Sequence, residues 1–561
     1  MLLSIASLFL AFAHTQVAIG ATAVGNSTNP IIDLGYAKYQ GFVDPTSGNT
    51  QFLGIRYAAA PVGNLRWRAP QTPAKTSGIL QANAQPPQCF NAGAGLENVT
   101  PFRNPNPFAP ARRSEPVGKR DIIPTVSSED CLHLNVYSPG ILDPNANKLP
   151  VVVWIHGGGY MAGNASEFNG DDLITDAEGG VVVVIIQYRL GVFGFLPGTQ
   201  VQEGGDLNAG LLDQHFALQW VHKHITKFGG DPTKVTIWGE SAGAGSVLQH
   251  IVAQDGKTNP PLFRAGISSS LYLPPQYNFN DPIAEDLYSE VVSLTGCTSA
   301  TNTLNCLRGL NDGLLQGANV NISESVFFGT FVFVPVVDGT FIVRRPSESL
   351  KMGRVNGEAV LAVTNAFEGT LFVNLSTAGF VQSNNYAAQL FPELGNQQIQ
   401  AAAAQYASVG TPINQAIGIM GESIFICPTY YLLMAFEGRG FKGEFAIPPG
   451  EHGQDVAYYF FSQNPNGVPG FSNPVFDKSF AESFLNFAMS LNPNVKVGIA
   501  DATPHWDVWR NANGVAAVGD GVEMLFNMTA AGAPVIQPIT TSSSLLERCN
   551  FWESVTAMTA Q

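Results

Sequence analysis

Residues 236–246 read TIWGESAGAGS, a short apolar run of β type that breaks into Gly239-Glu240-Ser241-Ala242-Gly243 and continues into small, helix-compatible residues. Glycine on either side of Ser241 permits a strand-to-helix turn too sharp for bulkier neighbours, and such a turn holds a hydroxyl outward at a helix N-terminus. The chemistry suggested is nucleophilic acyl transfer. In isolation the same five residues also fit a glycine-rich turn with an N-cap serine. The rest of the apparatus separates the two readings. A serine hydroxyl is a weak nucleophile at neutral pH and needs a base, an orienting acid and donors for the developing oxyanion.

Donors are offered by LPVVVWIHGGGY (149–160), an apolar strand ending in His156-Gly157-Gly158-Gly159. Three successive glycines let backbone N–H groups converge on one substrate oxygen with no side chain in the way. The expected donors are the amides of Gly158, Gly159 and Ala242, with His156 a structural residue of the loop.

These segments belong to a colinear series. FLGIRYAAAPVGNLRWRAP (52–70), SEDCLHLNVY (128–137), QYRLGVFGFL (187–196), the 208–246 stretch with the elbow, and CNFW (549–552) together resemble the carboxylesterase/lipase family of the α/β-hydrolases, which also holds the cholinesterases. In look the chain is most similar to that family's secreted fungal lipases and sterol esterases. The resemblance implies an α/β-hydrolase fold: a large, mostly parallel central sheet with helices on both faces and long insertions. It also implies that the triad acid is the glutamate of a DEG-like turn after a strand, here Glu368 in AVLAVTNAFEGT (359–370), with Ala366-Phe367 a departure from the usual turn. The implied base is His452 in EHGQDVAYYF (451–460). The chain order Ser241, Glu368, His452 is that of the α/β-hydrolases.

Elimination among the nine histidines points the same way. His14 lies in the leader, and His133 and His156 sit inside motifs. His215, His222, His224 and His250 fall on helical stretches near the elbow, and His505 precedes Trp506. Only His452 follows Glu368 in a Gly/Pro-rich loop.

The elements that must hold these residues are legible in outline. Apolar strands at 181–186 and 235–238 alternate with helical runs at 210–226 and 242–252, the pattern of a parallel sheet covered on both faces. No linker, repeat or low-complexity tract divides the chain, so residues 24–561 are expected to form a single catalytic domain. Residues 1–23, apolar and rich in small residues near their end though without Lys or Arg, fit a secretory signal peptide cleaved after Gly20 or Ala23. No later segment offers an uninterrupted apolar stretch of about twenty residues, so no integral membrane anchor is expected.

Six cysteines suit an oxidising destination, and their number alone permits fifteen pairings. The resemblance implies Cys89–Cys131, Cys297–Cys306 and Cys427–Cys549; for the last two residues, free buried thiols are the alternative. It also implies that the loop 89–131 borders the active-site entrance and is a candidate lid, and that Arg56 and Glu129 form a buried ion pair. Six N-x-S/T sequons occur. Asn26, Asn98, Asn321, Asn374 and Asn527 are candidate glycan sites, whereas Asn164 sits too near the oxyanion loop to be used.

A net charge of −15 disfavours nucleic acid and general attraction to anionic membranes. The expected partner is a small-molecule or lipid ester, with transient contact at a lipid interface. Residues 90–130 contain no tryptophan to hold a quaternary ammonium, which disfavours choline esters. The expectation is a secreted hydrolase of apolar esters: a lipase, sterol esterase or carboxylesterase. The reading from another class is a non-catalytic adhesion or binding protein, since the family includes members that have lost the triad. No metal or other cofactor is expected: His222 and His224 are two apart and face different sides of a helix, and the glycine clusters lack a dinucleotide fingerprint.

Overall fold

The computed structural model describes residues 29–103, 126–143, 145–510 and 521–561. The expected signal peptide, the Asn26 sequon and positions 104–125 of the candidate lid lie outside the described residues.

β-branched runs dictate the centre. Val151-Val152-Val153 and Val182-Val183-Val184-Ile185-Ile186 carry side chains that are stiff at χ1 and favour extended backbone. Being apolar at successive positions, they require burial on both faces. In chain order the main strands are β1 (Phe42–Val43), β2 (Thr50–Arg56), β3 (His133–Ser138), β4 (Leu149–Ile155), β5 (Val182–Ile186) and β6 (Gly230–Glu240). They continue with β7 (Ala265–Ser269), β8 (Ala359–Asn365), β9 (Gly440–Phe445), β10 (Val522–Met528) and β11 (Pro534–Thr540). All eleven join one sheet in the spatial order 11-10-9-8-7-6-4-5-3-2-1. Neighbours from β10 to β5 are parallel, and the flanking pairs are antiparallel.

Alternation along the strands divides the interior in two. Val151, Val153 and Ile155 face one core, whereas Val152 and Trp154 face the other. The first is covered by α1 (Ala209–His224) and α2 (Ala242–Gly256), through Leu211, Leu218, Val247 and Ile251. The second is covered by α3 (Pro474–Ser490), through Phe476, Phe480 and Phe484. α3 begins with Asn473 accepting from the amides of Val475 and Phe476 and with Pro474 in its first turn, both ordinary start signals.

Register fixes where the site can be. Ile155 lies opposite Gly239, Glu240 opposite Ser269, Ser269 opposite Val363, and Asn365 opposite Phe445. The chain therefore leaves β4, β6, β7, β8 and β9 at one edge, the carboxyl edge, where open α/β sheets place their ligands.

The three implied disulfides are formed: Cys89–Cys131, Cys297–Cys306 and Cys427–Cys549. The last spans 122 residues of sequence; in the chain-entropy account a closure of that length is worth roughly 4–5 kcal/mol. Among the described residues one helix, Pro412–Ala435, is long and apolar enough to cross a membrane, but 78% of its most apolar window is buried inside the protein. Cys427 ties it to the C-terminal helix Ser543–Ser554, so it is a core helix.

The implied ion pair is corrected. Arg56 meets Asp130, at 2.5 and 2.8 Å, and Glu129 instead takes both ends of Arg66 at 2.7 Å. Adjacent side chains diverge, and the buried one needs the better-satisfied cation. Arg66 also donates to the carbonyls of Leu307, Arg308 and Leu310, whereas Asp130 stays partly exposed with Arg56. Of the sequons, Asn98 and Asn321 are exposed and Asn374 and Asn527 half-buried, while Asn164 is buried and N-caps the turn at Ser166.

Candidate active site

Ser241 joins β6 to α2 at φ 56°, ψ −124°, a backbone conformation that costs a non-glycine residue about 1–3 kcal/mol. The neighbouring glycines make it reachable. A Cβ on Gly239 would come within 2.3 Å of the Gly243 carbonyl carbon, and one on Gly243 within 2.0 Å of the Ile155 oxygen. The turn is pinned by the Ser241 amide donating to Ser269 O at 3.0 Å and the Gly245 amide donating to Ser241 O at 2.8 Å.

The glycine loop lies directly on this elbow. A Cβ on Gly157 would stand 2.7 Å from Glu240 O and 3.0 Å from the Ser241 Cβ. Gly158 and Gly159 adopt φ of 98° and 64°, which favours glycine at both, and the Phe331 ring presses on the Gly159 backbone where a Cβ would stand. Among the described residues, neither glycine amide donates to a protein acceptor. His156 stacks on Tyr188 at 4.6 Å between centroids, and its carbonyl accepts from the Tyr188 hydroxyl. Burial depresses its imidazole to about 4, so at neutral pH it is an uncharged part of the wall.

Glu368, fully buried, stands in the turn after β8 and His452 in the loop after β9. Glu368 Oε2 meets His452 Nδ1 at 2.5 Å, and its Oε1 accepts from the Asn365 amide at 2.6 Å. The rings of Phe372 and Phe425 cover the imidazole at 5.0 and 4.5 Å. On its other side His452 Nε2 lies 3.2 Å from Glu240 Oε1 and makes no hydrogen bond. The structure thus brings Glu368 and His452 into direct contact and sets Ser241 next in sequence to the carboxylate facing the second ring nitrogen. A hydroxyl–imidazole bond is not made; such bonds commonly tighten only when substrate is bound.

Three carboxyl groups surround this one imidazole. Burial lowers the His452 pKa, but the charges of Glu240 and Glu368 outweigh it and hold the ring above its ordinary value. Burial pushes Glu240 up to about 8 against the pull of His452, with Asp455 and Glu368 adding to the rise. Burial also pushes Asp455 up to about 6, although Asn365 Nδ2 and the Tyr459 hydroxyl both donate to it at 3.0 Å.

Sequence reading assigned no role to Glu240, Asp455 or Asn365. Glu240 carried a usable signal, a charged side chain closing an apolar strand beside the candidate nucleophile, and so did Asp455 in EHGQD. Nothing marked Asn365. The apolar wall was equally hidden: Phe331, Phe372 and Phe425 line a pocket together with Tyr272, Leu287 and Met420, gathered from distant stretches of chain. Among the described residues no group of three or more His, Cys, Asp or Glu could hold a metal ion.

The chain has relatives in sequence and in overall fold. Residues 28–527 match the sequence profile of the carboxylesterase family. A secreted triacylglycerol lipase of Gibberella zeae is 30% identical over 83% of each chain. Carboxylesterase patB of Penicillium expansum is 29% identical over 94% of this chain and 96% of its own. Among solved structures, EstA of Aspergillus niger superposes with a TM-score of 0.80 at 28% identity, covering 95% of this chain and 99% of that one. By profile, relatives and fold together, the chain belongs to the carboxylesterase family and is a carboxylic ester hydrolase.

Proposed function

We propose that the protein is a secreted hydrolase of apolar carboxylic esters that works through an acyl-enzyme on Ser241. The observation carrying this reading is the 2.5 Å contact of Glu368 with His452 at the sheet edge where the strained Ser241 turn emerges. His452 Nε2 takes the Ser241 proton as the hydroxyl oxygen attacks the ester carbonyl carbon, and Glu368 orients the ring and balances its positive charge. The amides of Gly158, Gly159 and Ala242 meet the oxyanion. Collapse expels the alcohol, which takes the proton from His452. Water then repeats the sequence and frees the carboxylic acid.

An apolar acyl group is favoured by the phenylalanine-lined pocket that abuts both Gly159 and His452. Residues 369–392 carry no charge, and Leu371, Leu375 and Phe380 in that stretch are more than half exposed beside the pocket, a surface suited to transient contact with lipid. Secretion is supported by three disulfides and by relatives named as secreted lipases. Ser241→Ala is expected to lower kcat on p-nitrophenyl octanoate by an order of 10⁶-fold and to abolish labelling by an organophosphate. Labelling that survives the substitution removes Ser241 from the site, and faster turnover of the acetate than of the octanoate by the unaltered protein overturns the apolar preference.

A further inference from the structure

His452 has more acids near it than a triad needs, and something must decide which of them takes Nδ1. Asn365, the last residue of β8, touches two of them. Its backbone N–H donates to Glu368 Oε1 at 2.6 Å, while its side-chain Nδ2 donates to Asp455 Oδ1 at 3.0 Å and to Ser270 Oγ at 2.9 Å. The second Asp455 oxygen accepts from the Tyr459 hydroxyl, so each oxygen of that carboxyl has a donor other than the imidazole.

The orientation of the Asn365 amide follows from its partners. An ionised carboxylate only accepts, so the NH2 end must face Asp455. The opposite end, Oδ1, is buried with no partner, so the donor contacts are kept although an acceptor is left unsatisfied. The third contact reaches the elbow. Ser270 sits just past β7 at φ 55°, with its amide on Val363 O, next to the Ser269 carbonyl that accepts from the Ser241 amide. Asn365 therefore ties the acid turn after β8, the base loop after β9 and the strand end that supports the nucleophile.

We propose that Asn365 is a positioning residue for ester hydrolysis: its backbone N–H presents Glu368 to His452 Nδ1, and its side chain holds Asp455 behind the imidazole as a remote charge. This rests on the triad reading above. The titratable groups facing His452 are Glu240 from β6, Glu368 from the turn after β8 and Asp455 from its own loop. Those facing Asp455 are Glu368, His452 and Tyr459, with Glu240 beyond. Removing the Asn365 side chain takes a donor from the charged form of Asp455, which then stays neutral to higher pH. The imidazolium loses that negative neighbour, and the neutral base survives to lower pH.

The test is the pH profile of kcat/KM on a p-nitrophenyl ester for the whole protein, after an organophosphate has been shown to label Ser241. For Asn365→Ala, kcat is expected to fall about 10- to 100-fold, the loss of one charge-assisted hydrogen bond, with KM nearly unchanged and the acid limb displaced to lower pH. Asp455→Asn removes the same charge and is expected to displace the limb in the same direction. The double variant is expected to move it no further than Asp455→Asn alone. An undisplaced limb in Asn365→Ala, or additive displacements in the double variant, overturns the proposal. If Asn365→Ala does not fold, an undisplaced limb in Asp455→Asn overturns it. Failure of the unaltered protein to label at Ser241 sinks the triad reading instead, so the two failures are distinguishable.

Discussion

Two buried clusters of charge lie on either side of β4, and they are built on opposite rules. At one, Arg189 donates to both oxygens of Asp213 at 2.7 Å, with side chains 3% and 0% exposed, and the guanidinium also reaches the Arg68 carbonyl. At the other, one imidazole faces Glu368, Glu240 and Asp455. Burial is similar, so depth does not distinguish them. The ratio of cation to anion does. A bidentate guanidinium pair is closed: burial still raises the Asp213 carboxyl, but Arg189 pulls against it and each charge has its partner. Three acids around one base leave a surplus of negative charge in a desolvated place, which protons relieve, and perturbed groups of this kind mark working sites.

The contrast can be broken from either end. The largest effect is expected on the open cluster from Glu368→Gln: kcat lower by about 10³–10⁴-fold, by analogy with loss of other triad acids, while the urea midpoint barely moves. Equal losses of activity and stability would mean that Glu368 is structural in the way Asp213 is. On the closed cluster, Asp213→Ala strands a buried guanidinium and is expected to cost about 3–5 kcal/mol of stability, with kcat per folded molecule retained. A fall in kcat at full stability would give that pair a part in the chemistry.

The smallest effect sharpens the comparison through pH. As the proposed base His452 would have to be neutral to act, and its folded pKa lies above its ordinary value, so the acid limb of kcat/KM is expected above pH ~6.5 with a tenfold fall per unit below it. The stability of the same cluster runs the other way. Glu240, at about 8, and Asp455, at about 6, are raised above their unfolded values, so the folded chain binds more protons there. Their contribution is full below pH ~4 and is lost as pH rises through 6 and 8. Activity and local stability should therefore trade places between pH 5 and 8, and Glu240→Gln should flatten the stability side. A denaturation midpoint that climbs across that range would refute the acid surplus.

What was legible in the sequence follows from the same physics. The elbow and the glycine loop are local devices: their backbones need positive φ or room for a neighbouring strand, and only glycine at fixed offsets supplies both. The strands expected at 181–186 and 235–238 are legible from unbroken β-branching and the apolar TIWG end, whereas the 230–234 start of the second, GDPTK, carries no such signal. Glu368 and His452 are weaker signals alone, each a titratable residue before a glycine, and were found through the family's colinear motifs. The Arg56–Glu129 expectation failed because the difference between positions 129 and 130 is which side chain turns inward, and that depends on Arg66 and three carbonyls from 307–310. Asn365 was unreadable for a similar reason: its three partners come from residues 270, 368 and 455, and no spacing announces such a meeting.

The contact between Gly243 and the Ile155 carbonyl, with Gly157 resting on the Ser241 Cβ, has one more result. The proposed nucleophile and the proposed amide cradle are not two parts set at a distance by some third element; Ser241 and the glycine loop share a single seam of main chain, and any methyl inserted there pries both open at once. On the proposed mechanism, changes of substrate in such a scaffold must therefore be made in the walls, among Phe331, Phe372 and Phe425, because the gap between Ser241 and the glycine loop has no adjustable side.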